Sequence, residues 1–261
     1  MAAVLGVVMA LLGTGCGSSG RSPEPGSDAQ DGGSQPGLAG SLTVFAAASL
    51  TAPFNDVKAR LVAGNPRFSL TYSFAGSQHL VAQISEGAPA DVVATADQET
   101  MARLVAVGLV ETPTDFARNS LQIAVAPGNP KAITHLGDLA RPDLKVVLAD
   151  PSVPAGRYTR RAFDKAGVAV RPVSLDLDVK SVLGKVTSGE ADAAVVYVTD
   201  VAAAKTAVAG VDIPVMHNVV ASYPVAVVKA TRNRAAAQAF VDQLLHGPGR
   251  DALLAHGFHG V

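Results

Sequence analysis

The chain has 261 residues, of which 48% are hydrophobic, enough to bury a large core and to exclude a mainly disordered protein. Its 21 Lys and Arg residues nearly balance its 22 Asp and Glu residues, and no stretch forms a basic stripe of the kind that binds nucleic acid. Aromatic residues make up 5% and tryptophan is absent, which argues against a stacking surface for bases or sugars.

The sequence begins with the apolar stretch MAAVLGVVMALLGTG, which is followed by Cys16, the single cysteine. This stretch is too short for a comfortable membrane span and is typical of a secretory signal. Gly15-Cys16 resembles the end of a bacterial lipobox, so we predict a signal peptide and lipobox over residues 1–16, with Cys16 as the lipidated first residue of the mature protein. An uncleaved apolar segment with an incidental cysteine is the alternative. One cysteine forms neither an internal disulfide nor a multi-thiolate metal site.

Residues 17–40 consist mainly of Gly, Ser, Pro, Asp and Gln and offer almost nothing to bury. That composition predicts a disordered, flexible linker. A lipid anchor, a tether and then a globular body is the layout of an extracytoplasmic binding protein held at a membrane.

From residue 41 onward, apolar strands alternate with amphipathic helices. A strand at Leu42–Phe45 leads into a helix at Ser49–Ala63, whose apolar residues recur at helical spacing. In chain order there follow a strand at 68–74, a helix at 77–86, a strand at 90–97, a helix capped by Asp97 and closed by Gly108, strands at 121–128 and 145–151, helices at 156–166 and 179–186, strands at 192–198 and 221–229, and a helix at 235–245. The alternation predicts an α/β fold with mostly parallel sheets, in which ligands bind beyond the carboxyl ends of the strands.

Two helices begin at a serine directly after a strand. Ser49 follows three alanines and Ser77 follows Gly76, so both surroundings are uncrowded and carry no charge. An ordinary N-cap serine satisfies a free backbone N–H, and that is the alternative role. Helix N termini also bind anions through their N–H groups and the positive end of the helix dipole. The repetition of the arrangement predicts one half of an anion site.

Three further positions follow other strands. Ala155 lies in DPSVPAGRY, where small residues leave the backbone bare at a helix start. Val179 lies in the first helical turn of LDLDVKSVL and offers only its backbone N–H, and Tyr197 ends the buried strand AAVVY. Ordinary turns and core packing are the alternatives for all three. Arg157, close to the first of these turns, is expected to be exposed.

Signals for an enzyme are weak. The chain lacks a G-x-S-x-G elbow, a P-loop and a G-x-G-x-x-G motif at a helix start. His256 and His259 could share a helix face, but they lack a third metal ligand. A secreted hydrolase that uses Ser49 or Ser77 remains an alternative, although no base or orienting carboxylate is evident.

Several motifs together resemble one family, the periplasmic molybdate-binding proteins, which are the solute receptors of ABC-type molybdate importers. The resemblance covers residues 42–261. It is carried, in order, by TVFAAASL, SFAGSQHLVAQISEGAPADVVATAD, ADPSVPAGRY, AAVVYVTD and YPVAVV. It implies a type II periplasmic-binding-protein fold, in which two α/β lobes joined by crossover strands close on the ligand. It also implies a monomeric, non-enzymatic receptor that needs no cofactor, has no direct ligands for a metal cation and hands molybdate or tungstate to a permease.

Carried over by position, the resemblance assigns the ligand to five residues. Ser49 and Ser77 would supply hydroxyl and backbone N–H donors, Ala155 and Val179 backbone N–H groups, and Tyr197 its hydroxyl. Gln78 departs from the family, which often has a small hydroxyl residue there. We expect the first lobe to contain 41–121 and 224–261, and the second to contain 122–223.

These donors are neutral, and no Asp is placed among them. A fully deprotonated oxyanion accepts hydrogen bonds at every oxygen, so this set favours molybdate, tungstate or sulfate over a protonated phosphate. A sulfate-type receptor therefore stays open as an alternative, as does a sensor or adhesion module that keeps the fold without transport.

Overall fold

The computed structural model describes residues 38–261. The predicted signal peptide, Cys16 and nearly all of the predicted linker lie outside the described residues. Among the helices within 38–261, none is long and apolar enough to cross a membrane.

Residues 38–261 contain two five-stranded sheets. In chain order their strands are β1 (Gly40–Ala47), β2 (Phe68–Ala75), β3 (Val92–Ala94), β4 (Thr114–Asn119), β5 (Leu121–Val125), β6 (Val146–Ala149), β7 (Ser174–Asp176), β8 (Ala193–Tyr197), β9 (Ala209–Asp212) and β10 (Ala221–Val227). The first sheet has the order β2-β1-β3-β10-β4 and the second has the order β7-β6-β8-β5-β9. Each sheet forms the centre of one lobe.

The prediction of mostly parallel sheets is wrong. In the first sheet β1 runs parallel to β2 and β3, but β10 runs antiparallel to β3 and β4. The second sheet repeats this pattern, with β6 parallel to β7 and β8, and β5 antiparallel to β8 and β9. The antiparallel pairs arise because β4, β5, β9 and β10 carry the chain from one sheet to the other instead of returning through a βαβ crossover.

The chain changes sheets twice. Ser120 alone separates β4 from β5, and residues 213–220 separate β9 from β10. The two lobes are therefore joined by crossover strands, as expected. Because β1 to β4 precede the first crossover and β10 follows the second, the first sheet is built from two separate stretches of the sequence.

Eight helices belong to residues 38–261: α1 (Thr51–Gly64), α2 (Ser77–Ser85), α3 (Gln98–Ala106), α4 (Pro154–Ala166), α5 (Val179–Thr187), α6 (Val198–Ala204), α7 (Arg234–His246) and α8 (Pro248–Ala255). The helix predicted from residue 156 begins two residues earlier, because Pro154 suits the first helical position. The sequence analysis did not predict α6, α8 or the strands β4, β7 and β9. These strands are short or polar, so their own side chains carry little periodic signal.

The second sheet shows how the fold holds a site in place. Every residue of β6 and β8 is buried, and both strands contact α4 and α5. Burial between layers explains their continuous apolar sequences. The carboxyl ends of β6 and β8, from which the site residues of this lobe project, are thereby fixed against the packed core.

Candidate functional site

All five predicted ligand residues line one cavity between the lobes. The first lobe contributes Ala47, Ala48, Ser49, Gly76, Ser77 and Ala96, and the second contributes Val153, Pro154, Ala155, Val179 and Tyr197. The five residues are at most 4% exposed. The structure therefore brings them together in one small, largely buried site.

The first-lobe hydroxyl groups lie side by side because β1 and β2 are paired in parallel, with Ala47 opposite Ala75. The prediction of Ser49 as a helix N-cap is wrong. Ser49 lies inside a 3₁₀ turn, Ala48–Leu50, that precedes α1, and its Oγ atom is 3.1 Å from the hydroxyl oxygen of Tyr223. Ser49 is thus held by a strand of the sheet, not by the helix that it was expected to cap.

Ser77 occupies the first position of α2, after Gly76 as N-cap. Its hydroxyl oxygen accepts a hydrogen bond of 3.1 Å from the backbone N–H of Ala96. A serine hydroxyl has one hydrogen to donate and two acceptor lone pairs. Because Ala96 occupies an acceptor position, the Ser77 proton stays available to a group in the cavity.

The second-lobe residues present backbone N–H groups at two further helix starts. Ala155 is the second residue of α4 and Val179 is the first residue of α5. The first N–H groups of an α-helix have no acceptor within the helix, so they can serve a ligand. A side chain at Gly156 would collide with the carbonyl oxygens of Ala149 and Asp150, which explains the glycine after Ala155 at this close approach of helix and strand.

Tyr197 ends β8 and is 1% exposed. Within the described part of the chain, its buried hydroxyl oxygen makes no hydrogen bond. Burial raises the pKa of Tyr197 well above its ordinary value, so the group stays protonated and can donate. A buried hydroxyl without a hydrogen-bond partner lowers the stability of the folded protein. This indicates that a bound ligand supplies the missing hydrogen-bond acceptor.

The cavity has no charged lining residue, but helix dipoles give it a partial positive potential. Its polar side chains are the hydroxyl groups of Ser49, Ser77 and Tyr197. The N termini of α2, α4 and α5 and the 3₁₀ turn that contains Ser49 meet at it, and the helix N termini direct partial positive charge towards the cavity. The arrangement therefore suits a small anion that only accepts hydrogen bonds. In residues 38–261 no group of three His, Cys, Asp or Glu side chains is placed to hold a metal cation.

Residues 42–259 match the family model of bacterial extracellular solute-binding proteins. The molybdate-binding protein ModA of Mycobacterium tuberculosis is 42% identical over 257 residues, which cover 97% of this chain and 96% of that protein. The chain belongs to this family of bacterial extracellular solute-binding proteins. Its members bind solutes outside the cytoplasm and are not enzymes, so the serine hydrolase alternative is not favoured and the bound solute is cargo, not a cofactor.

Two solved structures confirm the type II periplasmic-binding-protein fold. The periplasmic molybdate-binding protein of Azotobacter vinelandii aligns with a TM-score of 0.74 at 20% identity, covering 84% of this chain and 98% of that one. The sulfate-binding protein SubI of Mycobacterium tuberculosis aligns with a TM-score of 0.73 at 21% identity, covering 85% of this chain and 87% of that one. Since both align equally well, the fold does not distinguish their ligands.

The sequence analysis missed two residues that hold the site hydroxyl groups, Tyr223 and Ala96. Tyr223 lies 174 positions from its partner Ser49, so no local pattern connects them. Its position in the YPVAVV motif was the available signal. Ala96 appeared only as a strand residue, although it directly precedes the N-cap of α3.

The expectation that Arg157 is exposed is wrong. Its side chain is 13% exposed and forms an ion pair across the cleft with Asp97. The predicted role of Asp97 as the N-cap of α3 is confirmed, since its carboxylate accepts a 2.9 Å hydrogen bond from the Thr100 N–H. Asp97 therefore caps α3 and pairs with Arg157 at the same time, and the sequence indicated only the cap.

A partly buried ion pair supports the second-lobe half of the site. Lys180, which follows Val179, lies 2.8 Å from the carboxylate of Asp200. The other carboxylate oxygen of Asp200 accepts from the Tyr197 N–H at 3.2 Å. Burial raises the pKa of Asp200, against the opposing effect of Lys180. The pair connects the start of α5 with the end of β8 and so sets the spacing of Val179 and Tyr197.

Proposed function

We propose that the protein is an extracytoplasmic receptor that captures molybdate, and tungstate of the same shape and charge, for an ABC import permease. The observation that carries this proposal is the largely buried cavity whose polar groups are all neutral donors, gathered at the N termini of α2, α4 and α5, the 3₁₀ turn of Ser49 and the end of β8. The name of the 42% identical relative, a molybdate-binding protein, supports the choice of oxyanion.

The proposed ligand shell consists of Ser49, Ser77, Ala155, Val179 and Tyr197. Ser77 and Tyr197 have hydroxyl protons free for the ligand, and Ser49 gains one when Tyr223 donates to it. Ala155 and Val179 contribute backbone N–H groups. At neutral pH every oxygen of molybdate is a hydrogen-bond acceptor, so each of these donors finds a partner. A protonated phosphate would instead bring a donor that meets no carboxylate in the cavity.

A thermal-shift and calorimetry series with molybdate, tungstate, sulfate and phosphate tests this function. A ligand that binds only the folded state adds about 2.7 kcal/mol of stability at 100 times its Kd. We expect molybdate and tungstate to stabilise the protein at concentrations at which sulfate and phosphate do not. Stabilisation by sulfate alone would replace this proposal with a sulfate-type receptor, and stabilisation by none of the four would reject an oxyanion receptor.

We also propose that the lobes are rigid units that close on the ligand, with 41–121 and 224–261 in the first and 122–223 in the second. The changes of sheet at Ser120 and at residues 213–220 lie within a few residues of these bounds, although the first residue of β5 and the first three residues of β10 fall on the other side of them. The receptor would act as a monomer, since one chain supplies both halves of the cavity. The radius of gyration in solution scattering is expected to fall when molybdate is added, and superimposable profiles would contradict closure.

At the membrane we propose that residues 1–15 are removed as a signal peptide, so that Cys16 becomes the lipidated first residue and anchors the receptor through a tether ending near residue 40. The order of apolar stretch, small residues and cysteine supports this. Cys16→Ala is expected to abolish incorporation of labelled fatty acid into the protein without changing molybdate affinity. Incorporation that persists in the variant would exclude Cys16 as the lipidated residue.

A further inference from the structure

An arginine side chain crosses the cleft beside the cavity. Arg157 lies on α4 of the second lobe, and both its Nε and Nη2 atoms donate to the same carboxylate oxygen of Asp97, Nε at 2.9 Å. Nη2 also donates to the Thr100 hydroxyl at 2.6 Å. Asp97 and Thr100 form the first turn of α3 in the first lobe. We call Arg157, Asp97 and Thr100 the interlobe clasp.

Both ends of the interlobe clasp connect to the cavity wall. Arg157 Nη1 donates to the Ser152 carbonyl at 2.6 Å, which fixes the guanidinium against the loop that continues into Val153 and Pro154. Asp97 directly follows Ala96, whose N–H holds the Ser77 hydroxyl. The interlobe clasp therefore constrains cavity-lining residues of both lobes when the lobes meet.

The interlobe clasp also controls charge near the cavity. The side chain of Asp97 is 5% exposed, so without Arg157 its carboxylate would be a buried negative charge beside an anion site. Outside the pair, the half-exposed Glu99 carboxylate lies 3.5 Å from Arg157 and 3.8 Å from the exposed Arg161. Exposed ion pairs contribute little to stability. The Arg157–Asp97 pair is instead desolvated and reinforced by charge-assisted hydrogen bonds.

We propose that Arg157 is a positioning residue for ligand retention: on lobe closure it pairs with Asp97, holds the cavity shut and neutralises a carboxylate that would otherwise repel the oxyanion. This inference rests on the proposed function. Its consequence is kinetic, because the pair forms after the ligand has entered, so it slows release more than it speeds association.

The test is a double-mutant cycle with Arg157→Gln, Asp97→Asn and the double variant, read out by stopped-flow tyrosine fluorescence with molybdate. Asparagine still caps a helix, so Asp97→Asn keeps α3 intact. Each single variant is expected to raise the release rate by about tenfold or more, with a much smaller change in association. The double variant should release ligand faster than the wild-type protein but more slowly than Arg157→Gln, because it lacks the clasp but leaves no unpaired Asp97 carboxylate.

Arg160→Gln is the matched control, since it removes the same charge from an exposed position of α4 and should leave both rates unchanged. The faster release of molybdate from the clasp variants should persist at about 0.5 M salt, where exposed charges are screened. Tighter binding by Asp97→Asn would show that Arg157 acts only as an attractive positive charge, and an unchanged release rate in Arg157→Gln would also overturn the inference. A wild-type protein that binds neither molybdate nor tungstate would overturn the proposed function and this inference together.

Discussion

Tyr197→Phe is expected to weaken molybdate binding by roughly 10- to 100-fold while making the ligand-free protein more stable. A hydrogen bond to a charged acceptor contributes about 1.5–3 kcal/mol, which sets the loss of affinity. Without ligand, the Tyr197 hydroxyl is buried with no hydrogen-bond partner in residues 38–261, so its removal should add about 1 kcal/mol of stability. Calorimetry with molybdate and denaturant unfolding without it measure the two effects.

Tyr72→Phe is the matched control for this prediction. The Tyr72 hydroxyl is also buried without a partner among the described residues, but its ring packs against Phe54 and Phe74, away from the cavity residues. We expect the same gain in stability and an unchanged affinity. If Tyr197→Phe instead keeps wild-type affinity, Tyr197 is not a ligand donor, and the ligand shell proposed here is wrong at that position.

Gly76→Ala is expected to weaken binding by roughly 10- to 100-fold by preventing full closure of the lobes. Gly76 has φ −57°, which alanine adopts freely, so backbone strain does not contribute. A methyl group there would overlap the carbonyl oxygen of Leu177 in the other lobe, and a backbone atom cannot turn aside as a side chain can. Gln78, which donates to the same carbonyl at 2.8 Å, would lose its contact across the cleft as the lobes separate.

Calorimetry and solution scattering with saturating molybdate measure this effect, and the variant should keep a larger radius of gyration than the wild-type protein. Gly184→Ala is the control, because this exposed glycine inside α5 has no atom within 4 Å of the added methyl group. It should bind normally and gain about 0.5–1 kcal/mol of stability from better helix propensity. Wild-type affinity and closure in Gly76→Ala would mean that the lobes close through a different contact.

The strand and helix pattern was largely predictable from sequence, because buried faces leave a periodic record of apolar residues. The strands around Val146 and Ala193 and the helix with Val182 and Leu183 were found in this way. Small residues and hydroxyl groups at strand ends drew attention to Ser49, Ser77 and Ala155, since they mark places where a ligand can reach helix N termini, whereas the full set of five proposed ligand residues came from the family resemblance.

Periodicity records that a face is buried but not what buries it, so the pairing of elements was not predictable in the same way. The antiparallel direction of β5 and β10 depends on where the chain crosses between sheets. The three-residue strand β7 exists because β6 supplies its hydrogen-bond partners, and no property of its own side chains requires it.

The contacts that give the site its chemistry join residues far apart in the chain. Ser49 and Tyr223 are 174 positions apart, and Arg157 and Asp97 are 60 apart. Each of these side chains has an ordinary local interpretation as a cap, a core residue or a solvated charge. The local sequence therefore determined the donors available at each strand end, whereas three-dimensional packing determined which protons face the cavity, which charge is neutralised and how the two lobes meet, because those properties depend on distances that only the folded chain sets.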